Sequence, residues 1–89
     1  MLLASLGKFI EEQTGETHFS LEESGVNGRG DFSTNVAFFL ARKNDMSPME
    51  AAEDLREKLL QGASAGFFEK VEVAAPGFIN FWISNKAVQ

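Results

Sequence analysis

Val71-Glu72-Val73-Ala74-Ala75-Pro76-Gly77-Phe78-Ile79-Asn80-Phe81-Trp82 is the stretch on which the fold turns. Two alternating segments flank a Pro-Gly pair. From Glu69 to Ala74, Val71 and Val73 fall on one side, with Lys70 and Glu72 on the other. From Phe78 to Ser84, Ile79, Phe81 and Ile83 oppose Phe78, Asn80 and Trp82. A period of two marks strands that turn one face toward a core. Pro76 fixes φ and Gly77 offers a positive φ, so Ala75 to Phe78 is expected to form a type II turn. The two strands then make an antiparallel hairpin. Type II is not the favoured two-residue hairpin turn, and a slightly longer connection also fits.

Upstream of this hairpin the period changes to that of helices. Ser47-Pro48-Met49-Glu50 carries Ser at the N-cap, Pro at the first helical position and Glu at the third, a capping box. The helix it starts runs to about Gln61, with Ala52, Leu55 and Leu59 inward and Glu53, Glu57 and Lys58 outward; Gly62 closes it. Before it, the N-cap residue types Ser33, Thr34 and Asn35 precede Val36 to Ala41, predicting a helix that ends near Asn44 with Arg42 and Lys43 favourably placed at its C-terminal end. Val36, Phe39 and Leu40 are expected on its inner face. Ser24 to Gly30 holds three glycines and an Asn and reads as a loop. His18 to Glu22 alternates about Phe19 and Leu21 as a short strand. Leu2, Leu3, Leu6, Phe9, Ile10 and Gln13 recur at helical spacing, and Thr14-Gly15 stops that first helix.

The expected fold class is therefore α+β, in the order α-β-α-α-β-β: a small antiparallel sheet of about three strands with helices on one face. Eighty-nine residues fit one domain. A core is feasible at this size because 44% of the residues are hydrophobic and nine are Phe. Residues 1–84 read as the domain and 85–89 as the start of a following helix, truncated. The absence of cysteine excludes disulfides and thiolate metal sites and favours a cytoplasmic protein. The longest apolar run, Val36 to Ala41, is six residues, far short of the roughly 20 that cross a bilayer. Thirteen acids against eight bases give a net charge of −5. That balance opposes autonomous nucleic-acid binding, which Lys and Arg carry by neutralising phosphates. DNA and membranes are not expected partners.

No catalytic or metal site emerges from the residues. Arg29-Gly30-Asp31 matches an adhesive tripeptide but reads as a Gly-rich turn. Gly25, Gly28 and Gly30 lack the Lys-Ser/Thr ending of a phosphate loop. His18 is the sole histidine, which excludes a paired-His metal site, and no Ser or Cys is tied to it by spacing. Glu11-Glu12, Glu22-Glu23 and Glu53-Asp54 are adjacent carboxylates; neighbours on a helix do not share a face, so they read as solvated surface. One group stands out. If Ile79, Phe81 and Ile83 pack on the helices, Phe78, Asn80 and Trp82 lie on the open sheet face, where two aromatics flanking an amide suit an unstacked base. A two-sided core strand with Trp82 buried is the alternative.

Gly30-Asp31-Phe32-Ser33-Thr34-Asn35-Val36-Ala37, continuing to Leu40-Ala41, resembles the Gly-Asp-aromatic…Asn-Val-Ala…Leu-Ala signature of the N-terminal domain of arginyl-tRNA synthetases. The stretch from Val71 to Trp82 resembles the Val-Glu-Val-Ala-x-Pro-Gly-Phe-Ile-Asn-Phe segment of the same domain. Their order and separation also fit, so the resemblance covers nearly the whole chain. It implies an accessory domain that contacts the D-loop corner of tRNA(Arg) and assists a class I catalytic domain of the same polypeptide, which uses ATP and Mg2+ to charge tRNA. It carries tRNA contact onto Phe78 and Asn80, with Gly77 permitting close approach and Trp82 standing where the family is usually aromatic. Asp31 and Asn35 would fix the loop and cap the second helix. The His-x-Gly-His-type and Lys-Met-Ser-Lys-Ser-type class I signatures are absent, so this chain is expected to perform no adenylation. A protein-interaction or interdomain docking module is the rival reading.

Overall fold

The computed structural model describes residues 2–23, 31–63 and 67–83, with side chains from residue 5 onward. Its elements run α1 (Leu2–Thr14), β1 (Leu21–Glu23), β2 (Phe32–Thr34), α2 (Val36–Asn44), α3 (Pro48–Gly62), β3 (Phe68–Ala74) and β4 (Phe78–Ile83). All strand pairs are antiparallel, in the sheet order β1-β2-β4-β3. The expected α+β class and the terminal hairpin are present. The sheet has one strand more than expected: Phe32–Thr34, in which the sequence shows only the N-cap residue types Ser33 and Thr34, pairs with β1 on one side and β4 on the other. The predicted Ser24–Gly30 loop and the helix starting at Asn85 lie outside the described residues.

Helix boundaries follow local chemistry. Gly15 adopts φ +76° and its N–H donates to Glu11 O at 2.8 Å, closing α1 as a left-handed cap does. Asp45, at φ 54°, ends α2 in the same region. At the start of α3, Ser47 Oγ accepts from the Glu50 N–H at 3.2 Å. The return half of the capping box differs from expectation: the Glu50 carboxylate accepts from the Ser47 hydroxyl at 3.3 Å.

The core lies between the helices and one sheet face. Leu6 and Ile10 of α1 and Ala52, Leu55 and Leu59 of α3 are buried together with Val71, Ile79 and Phe81. Phe68 stacks on Phe81 at 5.4 Å between ring centroids, and Phe67 meets Phe68 edge-on at 4.8 Å. The inner face of α2 departs from expectation: Val36, Ala37 and Ala41 are buried, whereas Phe39 is only half-buried. Two small alanines let α2 approach closely and turn Phe38 and Phe39 toward the flanks. Arg56 of α3 donates from Nε to the Val71 carbonyl at 2.6 Å, tying the helix layer to β3.

The hairpin turn also differs. Gly77 N–H donates to Ala74 O at 3.0 Å, and the Ala75-Pro76 peptide is cis. The four turn residues are thus Ala74 to Gly77, with a cis proline third, the arrangement of a type VI turn. Gly77 does not take the positive φ that a type II turn demands. Its lack of a side chain serves packing instead: a Cβ there would sit 2.6 Å from Pro48 Cβ.

Candidate functional site

The motif from Asp31 to Val36 acts as a junction. The Asp31 N–H donates to Phe81 O at 2.7 Å, and the Asp31 carboxylate accepts from the Ile83 N–H at 2.9 Å, so one residue clasps the end of β4 twice. Thr34 is almost wholly buried, at 1% exposure, yet its hydroxyl is satisfied in both senses. It donates to Ser20 O at 2.7 Å and accepts from the Val36 N–H at 3.2 Å. Asn35 occupies the N-cap position of α2 but makes no side-chain cap bond. Its Oδ1 accepts from the Ser20 N–H at 2.8 Å instead. Thr34 Oγ1 therefore supplies the acceptor at the helix start that the Asn35 side-chain oxygen was expected to supply. The motif holds the segment before β1, strand β2 and α2 in register, which is a structural task.

Strand β4 is the centre of the sheet's open face. Ile79, Phe81 and Ile83 are buried toward the helices, which sends Phe78, Asn80 and Trp82 to the other side by alternation. Phe78 keeps 39% of its surface exposed. Its ring meets Phe38 of α2 in an edge contact, with centroids 5.2 Å apart and planes at 69°. Such a T-shaped pair fixes one ring by the edge of the other and leaves a face free. Asn80 lies at the floor of the face, 8% exposed, between Ser33 of β2 and Glu72 of β3 in the ladder. Trp82 is half-buried and stands opposite Lys70. The Lys70 ammonium sits 4.5 Å from the centre of the indole and 3.4 Å from a Glu72 carboxylate oxygen.

Residues expected on one surface are thus placed on one surface, with different access. Phe78 is reachable, Trp82 is covered in part by a cation, and Asn80 is reachable only from directly above the sheet. Gly77 is buried against Pro48. Sequence reasoning missed Phe38, the partner of Phe78. Its signal lay in Val36 to Ala41, because six consecutive apolar residues cannot all face inward from one helix. His18 and the carboxylates of Glu11, Glu12, Glu22, Glu23, Glu53 and Asp54 are exposed, as expected of solvated surface. A separate open crevice lies between the helices, where Leu40, Met46 and Leu55 meet Lys43, Asp54 and Lys58; it is formed in the helical layer, away from the open face.

The family described as arginyl tRNA synthetase N terminal domain matches residues 1–83, from the first helix through the last strand. The chain belongs to this family. Among its curated relatives, the arginine–tRNA ligase of Geotalea uraniireducens is 47% identical over 67 residues, covering 75% of this chain and 12% of that protein. The arginine–tRNA ligase of Caldanaerobacter subterraneus subsp. tengcongensis is 44% identical over 64 residues, covering 72% of this chain and 11% of its own length. The chain thus spans about one-ninth to one-eighth of the curated relatives it matches. Arginyl-tRNA synthetase from Thermus thermophilus superposes with a TM-score of 0.74 over 99% of this chain and 15% of that one, at 23% identity, and so shares the fold. Within the arginyl-tRNA synthetase N-terminal domain, both motifs described above fall inside the matched span. Among the described residues, no helix is long and apolar enough to cross a membrane.

Proposed function

We propose that this domain is an accessory tRNA-contacting module of an arginine–tRNA ligase. Its open sheet face receives an unstacked base of the tRNA(Arg) D-loop and so assists charging by a class I catalytic domain on the same polypeptide. That catalytic domain binds ATP and Mg2+ and joins arginine to tRNA in the cytoplasm; this domain adds affinity and discrimination. The observation that carries the reading is the partly exposed ring of Phe78, braced edge-on by Phe38 of α2, on the sheet face opposite the buried Ile79, Phe81 and Ile83. An aromatic held this way offers a stacking platform at low entropic cost, which is how unpaired bases are held. Trp82 extends the platform, Asn80 supplies amide hydrogen-bonding capacity in its floor, and Gly77 lets the turn sit tightly enough to aim Phe78. The net charge of −5 makes the contact local rather than a general attraction to RNA.

Titration of tRNA(Arg) into the full-length enzyme and its Phe78→Ala variant tests this. Weaker binding by the stable variant is the expected result. A second reading, docking on a protein surface, draws on exposed Met49 beside Pro48, which adds apolar surface near the turn. Unchanged tRNA binding in the variant would put that reading first.

A further inference from the structure

Among the described strand residues, Lys70 is the one cation on the sheet, and it stands on the open face directly opposite Trp82. Its ammonium is shared between the indole ring, at 4.5 Å, and the Glu72 carboxylate, at 3.4 Å. Both charged side chains remain about half exposed, at 51% and 54%. Neither partner can hold the ammonium firmly at such exposure: surface ion pairs and exposed cation–π contacts are weak. A phosphodiester oxygen, with a full charge and good hydrogen-bond geometry, competes well against them. Residues 78 and 82 lie about 13 Å apart along β4, so a strand whose base sits on Phe78 carries its backbone past Trp82 within one short stretch.

We propose that Lys70 is the phosphate-binding residue of this face, parked on Trp82 and Glu72 until RNA arrives. On binding, the ammonium leaves the Glu72 carboxylate for a backbone phosphate and uncovers the indole. Glu72 then acts as a gate: it competes with the phosphate for the same cation and repels RNA that does not also engage Phe78. The inference rests on the reading of the face as an RNA contact and adds to it a single, assignable counterion release.

The test is the salt dependence of binding, measured with full-length enzyme and an unmodified tRNA(Arg) transcript over a series of KCl concentrations. Each phosphate neutralised contributes about 0.7–0.9 to the slope of log K against log salt. Lys70→Gln is expected to reduce the slope by about that amount, and Lys70→Arg to restore it. Lys58→Gln, which removes a cation from the helical layer, should leave the slope unchanged. Glu72→Gln should tighten binding about two- to fivefold by releasing the ion pair. A slope untouched by Lys70→Gln while Phe78→Ala still weakens binding overturns the role of Lys70 and leaves the stacking face standing. If Phe78→Ala also has no effect, both readings fall together.

Discussion

Gly77 and Pro48 are in such close contact that no residue with a side chain fits at position 77 without displacement: a Cβ would lie 2.6 Å from Pro48 Cβ and 3.1 Å from the Pro48 carbonyl carbon. The hairpin turn is thereby seated on the first residue of α3. Overpacking of this kind costs about 1–3 kcal/mol. Gly77→Ala is expected to lower stability by that amount in urea denaturation. Because Phe78 follows directly, the variant should also weaken tRNA binding. A fully stable variant would show that Pro48 yields freely.

Leu55 and Phe81 belong to the same core, one from α3 and the other from the middle of β4. Leu55→Ala is expected to cost about 2–5 kcal/mol, enough to unfold a marginal domain of this size. A loss below about 1 kcal/mol would contradict the burial of this helix face.

Thr34 makes two hydrogen bonds with one buried hydroxyl. Thr34→Val keeps the shape and removes both, leaving the Ser20 carbonyl and the Val36 N–H without that partner. The expected cost is about 1–3 kcal/mol. Amide exchange at Val36 should accelerate in the variant; an unchanged rate would mean that the α2 start is held by packing alone.

Phe78 and Asn80 are predicted to affect tRNA and not the small substrates. Stacking on an aromatic is worth about 1–3 kcal/mol per base, and a neutral hydrogen bond about 0.5–1.5 kcal/mol. In the full-length enzyme, Phe78→Ala should lower kcat/KM for tRNA by about ten- to a hundredfold and Asn80→Ala by a few-fold. KM for arginine and ATP at saturating tRNA should hardly move. Asn80 is nearly buried, so its variant must first match the parent in thermal unfolding. Normal charging by two stable variants would reduce β4 to a structural strand.

The helices were legible because their signals are local. Ser47-Pro48 and Gly15 fix ends by backbone chemistry that works in any context, and the spacing of Leu55 and Leu59 states which face is buried. Strand β2 was not legible: Phe32-Ser33-Thr34 is three residues long and becomes a strand only through neighbours on both sides. Pro-Gly by itself suits a type II turn, and the sequence does not reveal that Pro48 occupies the space beside Gly77. The alternation in β4 separates the buried Ile79, Phe81 and Ile83 from Phe78, Asn80 and Trp82, yet the depth of Asn80 and the covering of Trp82 by Lys70 depend on which residues β2 and β3 bring alongside. The contact of Phe38 with Phe78 joins residues forty positions apart and required the packing of α2.

The bond from Arg56 to the Val71 carbonyl has a meaning beyond joining helix to sheet. Phe81 directs its carbonyl toward β2, where Asp31 donates to it, so its partner Val71 presents its own backbone groups on the outer margin of β3. An open margin of this kind is a template on which strands of other molecules can assemble. Arg56 occupies one of its acceptors with a charged group, and the irregularity between Phe68 and Lys70 breaks the straight run of the rest. The guanidinium thus works as a stopper on strand addition. Arg56→Ala should leave the fold largely intact but make concentrated solutions turbid sooner, a defect of colloidal behaviour rather than of folding.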